Sequence, residues 1–356
     1  MTGTADALAD WLRSRIPDAD AVRVDGIANV DVGHSAEMLT GTVITTRAGV
    51  ETAQDVVLRL RPPAPGLLEP YDLRHEYDVM RALEPTTVCA PRALWIEESG
   101  LVLGRPFFVM DRVPGEAYEW KLPPELTGRV EHLSTQIFDQ LATIHTVDVT
   151  AAGLRTRGAG PHIDRELDRW DGEITRVQRG PLPALERLGA ELRARRPEPT
   201  SVLTLVHGDA KPGNYAFVDG ELSAVFDWEL AAVGDPMTDL GWAEVAWKIT
   251  PAFAGLPEGH FDDLLRRYQA RSGIAVHDRA WYQALGAYKM AVIQLIGSML
   301  VESGHSDDWR FVEMGMGVKI VTRIGLGALG IVDRIESGPV LPRDERMAEL
   351  KPVERT

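Results

Sequence analysis

The chain has 356 residues, 44% hydrophobic and 26% charged, enough apolar mass for two domains or one two-lobed body with a sizeable core. Fifty-three acids against 38 Lys and Arg give a net charge of −15, which argues against a phosphate-backbone binder and favours, if anything, a cationic ligand. The single cysteine, Cys89, excludes an intrachain disulfide and a thiolate zinc cluster.

The first residues have neither the basic start nor the apolar core of a signal peptide, so a soluble cytoplasmic protein is expected. Residues 5–16 show helical spacing, with Leu8, Trp11, Leu12 and Ile16 on one face. A polar stretch over 25–32, the segment Gly33-His34-Ser35 and the β-branched run 42–45 predict a strand, a Gly turn and a strand. Residues 55–60 predict a strand carrying Arg59, with Arg61 on the same face. A Pro-rich loop over 62–66 leads to a helix over 71–83, with Leu73, Tyr77, Met80 and Leu83 inward, while Arg74, Glu76, Asp78 and Arg81 could form helix-surface pairs. Residues 88–96 and 105–112 predict two more strands, the second holding Val109 and Met110.

A long amphipathic helix is predicted over 124–147, with His145 near its end as a structural residue. Two helices follow over 163–178 and 182–195, on which Asp164, Glu166 and Asp168 are expected to be solvated. An apolar run over 201–206 reads as a short buried strand leading into His207-Gly208-Asp209-Ala210-Lys211-Pro212-Gly213-Asn214. A hairpin over 215–226 turns at Asp219-Gly220 and ends at Asp227-Trp228-Glu229. Asn214 and Asp227 therefore sit at hairpin ends that face the same way, with Asp209 a short loop away. Oxygen side chains so arranged suit a hard divalent cation that keeps several waters, and they leave one carboxylate to orient a hydroxyl. Asp235-Pro236 reads as an N-cap and N1 pair before a helix over 237–249. Further helices are predicted over 259–272, 277–302 and 307–329. The apolar run 290–301 is too short to span a bilayer and contains Gln294, so no membrane partner is expected. Residues 337–356 read as a Pro-rich, charged tail.

The stretch 206–229 resembles the catalytic and metal-binding segments of the protein-kinase-like superfamily, most closely the aminoglycoside phosphotransferase family. Protein kinases carry H-R-D-x-x-x-x-N and then D-F-G. Here the Asp-to-Asn spacing is the same, Gly208 is the small-molecule-kinase form, and the second motif is Asp227-Trp228-Glu229. The phrases Val57-Leu58-Arg59, Gly33-His34-Ser35 and Asp227-Trp228-Glu229-Leu230-Ala231 look most like the kinase domains associated with acyl-CoA dehydrogenases. The resemblance implies an α+β, bilobal, protein-kinase-like fold. A small antiparallel-sheet nucleotide lobe with one helix would cover 1–111, a larger helical catalytic and substrate lobe 112–336, and a tail 337–356.

It also implies ATP and Mg²⁺ as cofactors, and a small-molecule hydroxyl, on an aminoglycoside-like sugar or a hydroxyacyl-CoA, as acceptor. Asp209 would orient that hydroxyl and Lys211 would meet the transferred phosphoryl. Asn214 and Asp227 would hold the metal, with Glu229 as a further contact. Gly33, His34 and Ser35 would lie over the phosphates, Arg59 would grip them where kinases use Lys, and Glu76 would pair with Arg59. Val109 and Met110 would line the adenine slot. Asp239, in Gly-Asp-Pro-x-x-Asp-Leu, would support the catalytic loop through backbone hydrogen bonds. A non-catalytic nucleotide-binding pseudokinase is the competing reading. The sparse glycine loop and Arg59 favour it; the presence of Asp209, Asn214 and Asp227 opposes it. Protein-kinase activity is disfavoured, because Asp227 and Gly234-Asp235-Pro236 are too close for a long activation segment.

Overall fold

In the computed structural model, residues 2–30, 37–178 and 180–332 are described. Gly33, His34 and Ser35 and the tail lie outside the described residues. The chain is α+β and divides into two compact units, one comprising 1–116, 216–218 and 223–229, the other 117–215, 219–222 and the chain from 230.

The first unit opens with helix α1 (Thr2–Arg13), followed by strands β1 (Ala21–Val30), β2 (Glu37–Arg47) and β3 (Val50–Leu60), helix α2 (Leu73–Leu83), and strands β4 (Ala93–Glu97) and β5 (Phe107–Asp111). The strands form one antiparallel sheet in the order β1-β2-β3-β5-β4. Alternation decides its faces. Val56, Leu58, Leu60, Phe107 and Val109 pack with Leu8, Leu12 and Ile16 of α1 in one core. Arg59, between Leu58 and Leu60, therefore points to the other face, where α2 brings Glu76. Arg61, placed on the same face by the sequence pattern, is exposed. Val109 belongs to the α1-side core, so its side chain does not line the face of Arg59 as an adenine slot would require. Met110, one residue on, does.

The second unit begins beyond a short strand, β6 (Glu116–Ala117). Helix α3 (Val130–His145) starts six residues later than its amphipathic pattern suggests, because 127–129 form a single 3-10 turn after Pro123-Pro124. Helices α4 (His162–Val177) and α5 (Pro183–Ala194) lead to β7 (Thr204–Val206). The hairpin strands β8 (Tyr215–Val218) and β9 (Glu221–Val225), whose residues 216–218 and 223–225 belong to the first unit, are joined at Asp219 and Gly220, both at positive φ, as a tight two-residue turn requires. β10 (Ala232–Gly234) pairs antiparallel with β7.

Helices α6 (Met237–Ile249), α7 (His260–Ser272), α8 (Arg279–Glu302) and α9 (Trp309–Ala328) complete the unit. The Asp235 carboxylate accepts from the N–H of Met237 at 3.0 Å, so Asp235 caps α6 as its sequence suggests. α6 and α8 are buried nearly all round, and Gly241 and Gly286 let their backbones touch. A Cβ on Gly241 would stand 2.1 Å from the carbonyl oxygen of Tyr282. α8, at 24 residues, extends well beyond the apolar run 290–301 and is long and apolar enough to cross a membrane. However, 89% of its most apolar window is buried inside the protein.

Candidate active site

In the first unit, four predicted residues meet. The Nε of Arg59 lies 2.9 Å from the Oε2 of Glu76. Its Nη2 lies 3.1 Å from the Oδ1 of Asp227 and 2.7 Å from the Oε2 of Glu229. Local structure explains the last two. Val225 donates its N–H to the Cys89 carbonyl at 2.7 Å, which anchors the end of β9. Trp228 is fully buried, its Nε1 donating to the Val225 carbonyl at 3.0 Å. With Trp228 fixed as a plug, the residues on either side of it turn toward Arg59. Asp227 takes φ +67, a left-handed conformation that Asp tolerates better than most residues.

Burial on its own would lower the Arg59 pKa. The carboxylates of Glu76, Glu229 and Asp227 outweigh that and hold it above the usual arginine range. Burial raises the Glu76 carboxyl to about 7 despite Arg59. Three carboxylates around one guanidinium leave a local excess of negative charge. Among the described residues, however, no three acidic, histidine or cysteine side chains are grouped as a metal site.

In the second unit, the loop after β7 is held by its backbone. Asp239 accepts from the N–H of His207 at 2.6 Å and of Gly208 at 2.8 Å, the support expected of it. His145 secures Asp239 from behind, with Nε2 3.0 Å from its Oδ2 and Nδ1 2.7 Å from the Tyr268 hydroxyl. His145 is therefore structural, as its position suggests. His207 is fully buried, and its Nδ1 accepts from the N–H of Asp209 at 3.2 Å. Gly208 sits at φ +83, and a Cβ there would stand 2.3 Å from the Leu230 carbonyl oxygen. Glycine is the one residue that meets both conditions.

The loop presents Asp209. Asn214 donates its Nδ2 to the Asp209 backbone carbonyl at 2.8 Å and to its Oδ2 at 2.9 Å. Both donors of that amide face Asp209, which leaves its oxygen as an acceptor. The other carboxylate oxygen, Oδ1, is buried without a hydrogen-bond partner. Lys211 places Nζ 3.6 Å from the Asp209 Oδ2 and 3.4 Å from the Oε1 of Glu119. Burial would raise the Asp209 pKa. Lys211 above all, then His207, the Asn214 bond and Lys289 hold it below the usual carboxylate range. Asp209 is thus ionised at neutral pH, suited to orienting a hydroxyl and taking its proton as the transition state develops.

Two participants were not read from the sequence. Glu119 offers no signal in its own neighbourhood. Lys289 does: it is the only charged residue between Arg279 and Glu302 in an otherwise apolar helix. Glu166, expected to be solvated, is instead largely buried, 3.6 Å from the Lys289 Nζ and accepting from the Trp170 Nε1 at 3.2 Å. The expectation failed because its partner lies on α8, far along the chain.

The profile of a family described as phosphotransferase enzymes matches residues 43–285. Mouse acyl-CoA dehydrogenase family member 10 is 30% identical over 258 residues, covering 67% of this chain and 24% of that protein. Chicken acyl-CoA dehydrogenase family member 11 is 28% identical over 277 residues, covering 71% and 36%. The chain thus spans about a quarter to a third of the length of these relatives. Among solved structures, a candidate aminoglycoside phosphotransferase from Ralstonia eutropha JMP134 superposes with a TM-score of 0.73 at 24% identity, covering 91% of this chain and 98% of that one. A thermostable aminoglycoside phosphotransferase mutant in ternary complex with AMP-PNP and hygromycin B gives a TM-score of 0.58 at 15% identity, covering 90% and 99%. At these identities the structural likeness concerns the fold.

Proposed function

Because this chain belongs to the phosphotransferase enzyme family, we propose that it transfers the γ-phosphoryl group of ATP to the hydroxyl of a small molecule. The observation that carries the reading is the asymmetry of Asp209: one oxygen is clamped by Asn214, the other is buried and unpartnered. An unmade hydrogen bond on a buried carboxylate is costly, and an acceptor hydroxyl would make it.

The steps follow from this chain's residues. The acceptor O–H donates to Asp209 Oδ1, which turns the oxygen lone pair toward the γ-phosphorus. The new O–P bond forms as the bond to the β,γ-bridging oxygen breaks. The proton passes to Asp209 and ADP carries away the electron pair. Lys211, beside Asp209, stabilises charge on the transferred group. In the first unit, Asp227 and Glu229 would offer carboxylate oxygens to a magnesium ion; in the second, Asn214 would offer its amide oxygen. When bound, that ion neutralises charge on the phosphate oxygens. Arg59 orients Asp227 and Glu229, and it reaches phosphate only by sharing them.

Of the two acceptor classes, the hydroxyacyl-CoA type draws on the likeness to proteins named acyl-CoA dehydrogenase family members 10 and 11, of which this chain spans 24% and 36%. The aminoglycoside-like sugar type is supported by a fold neighbour at 15%. ADP release should be measured across hydroxyacyl-CoAs, aminoglycosides, macrolides, simple sugars and amino alcohols. Asp209→Asn should cut turnover on the order of 10²–10⁴-fold while ATP binding survives. If no hydroxyl compound stimulates ADP release and ATP still binds, the pseudokinase reading replaces this one.

A further inference from the structure

Behind the loop that presents Asp209 lies a buried cation that takes no step in the chemistry above, beyond its minor share in lowering the Asp209 pKa. Lys289 is 7% exposed. Its Nζ donates to the Gly208 carbonyl at 2.6 Å and lies 3.6 Å from the Oε2 of Glu166 on α4. The Trp242 and Trp170 ring centroids stand 5.0 and 5.6 Å from it.

An ammonium so placed needs a reason. Buried ion pairs are often no more stable than an apolar pair of the same volume. The Glu166 contact is also looser than the bond to Gly208. That shorter bond falls on a particular peptide plane, the one joining Gly208 to Asp209. Its oxygen is held by Lys289. Its N–H, at the Asp209 end, is held by the Nδ1 of His207 at 3.2 Å. The preceding N–H, on Gly208, is held by Asp239. A peptide unit is rigid, so fixing both of its ends fixes the direction in which the Asp209 side chain leaves the backbone. Gly208, at φ +83, has no side chain with which to brace itself.

We infer that Lys289 is a positioning residue: its ammonium clamps the Gly208–Asp209 peptide plane and so aims the Asp209 carboxylate at the acceptor hydroxyl. The aim at an acceptor rests on the phosphotransferase reading; the clamp itself does not.

Lys289→Met alone would strand the Glu166 charge, so the informative variant is the neutral double change Glu166→Gln/Lys289→Met. It is compared with wild type, Glu166→Gln and Lys289→Arg. Three quantities are read: Tm, the split of kcat and KM for ATP in ADP release, and hydrogen–deuterium exchange of the peptide spanning 204–212. The double variant should melt near wild type and lose on the order of tenfold in kcat, with KM for ATP within about twofold. Exchange over 204–212 should be faster in it. Glu166→Gln should retain kcat. Lys289→Arg keeps the charge and the Glu166 pair but cannot set its donor at the same point, so it too should lose kcat at unchanged Tm. This variant carries the test if the double variant fails to fold. Wild-type kcat and exchange in a folded double variant, or in Lys289→Arg where that variant carries the test, would overturn the inference and leave Lys289 a mere partner of Glu166. If wild type releases no ADP with any acceptor, the phosphotransferase reading fails by itself. The exchange measurement then still decides the clamp: faster exchange upholds it and unchanged exchange removes it.

Discussion

Replacing Gly208 by alanine tests the loop geometry most directly. The new Cβ would stand 2.3 Å from the Leu230 carbonyl oxygen and 2.7 Å from its carbonyl carbon. Comfortable contact begins near ~3.5 Å, so the loop must retreat by about 1 Å. Backbone atoms at the end of the 3-10 turn over 228–230 do not yield as a side-chain tip would. The left-handed φ adds roughly 1–2 kcal/mol for any residue with a Cβ, and overpacking adds about 1–3 kcal/mol. The sum places the stability loss at about 2–5 kcal/mol. A displacement of about 1 Å at the reacting group costs on the order of 10²-fold in rate. The assay pairs a thermal melt with ADP release, against Gly213→Ala as comparison. The Cβ of that variant would meet only the Glu119 side chain, which can swing away, and it should lose far less. A Gly208→Ala protein with unchanged Tm and a kcat within twofold of wild type would refute the argument.

Arg59→Met should destabilise the protein by roughly 3–5 kcal/mol, because it leaves Glu76, Asp227 and Glu229 facing one another without their cation. Part of the lost Tm should return with MgCl₂ but not with NaCl at equal ionic strength. Glu166 makes a pH-dependent contribution. Burial would raise its carboxyl, but Lys289 foremost holds it at about 2, against an ordinary 4.5. A depressed folded-state pKa means the stabilisation is present above the unfolded value and is lost as pH falls toward 2. Urea melts should show the advantage of wild type over Glu166→Gln, on the order of 3 kcal/mol near neutrality, shrinking between about pH 5 and 2. A constant difference across that range would count against the pairing. Gly241→Ala should lower Tm with little effect on KM for ATP, since its Cβ would meet the α8 backbone and not the loop.

What the sequence by itself determined is the part that depends on near neighbours along the chain. The five-residue step from Asp209 to Asn214 brings that amide onto that carboxylate whatever surrounds it. Asp219-Gly220 makes a tight turn because both residues accept positive φ. The period-two pattern of β3 places Arg59 opposite the apolar residues flanking it. Only the tertiary structure decided the rest. Nothing near Gly208 says that the Leu230 backbone fills the space where a side chain would go. Nothing near Glu166 says that a lysine from α8 will desolvate and neutralise it, so solvation was the reasonable expectation. Val109 looked available to a ligand until packing against α1 claimed its face of the sheet. Each case turns on burial by a distant segment. The strength of an ion pair, the pKa of a carboxylate and the room for a methyl group are all set by what excludes water, and that is a property of the assembled fold.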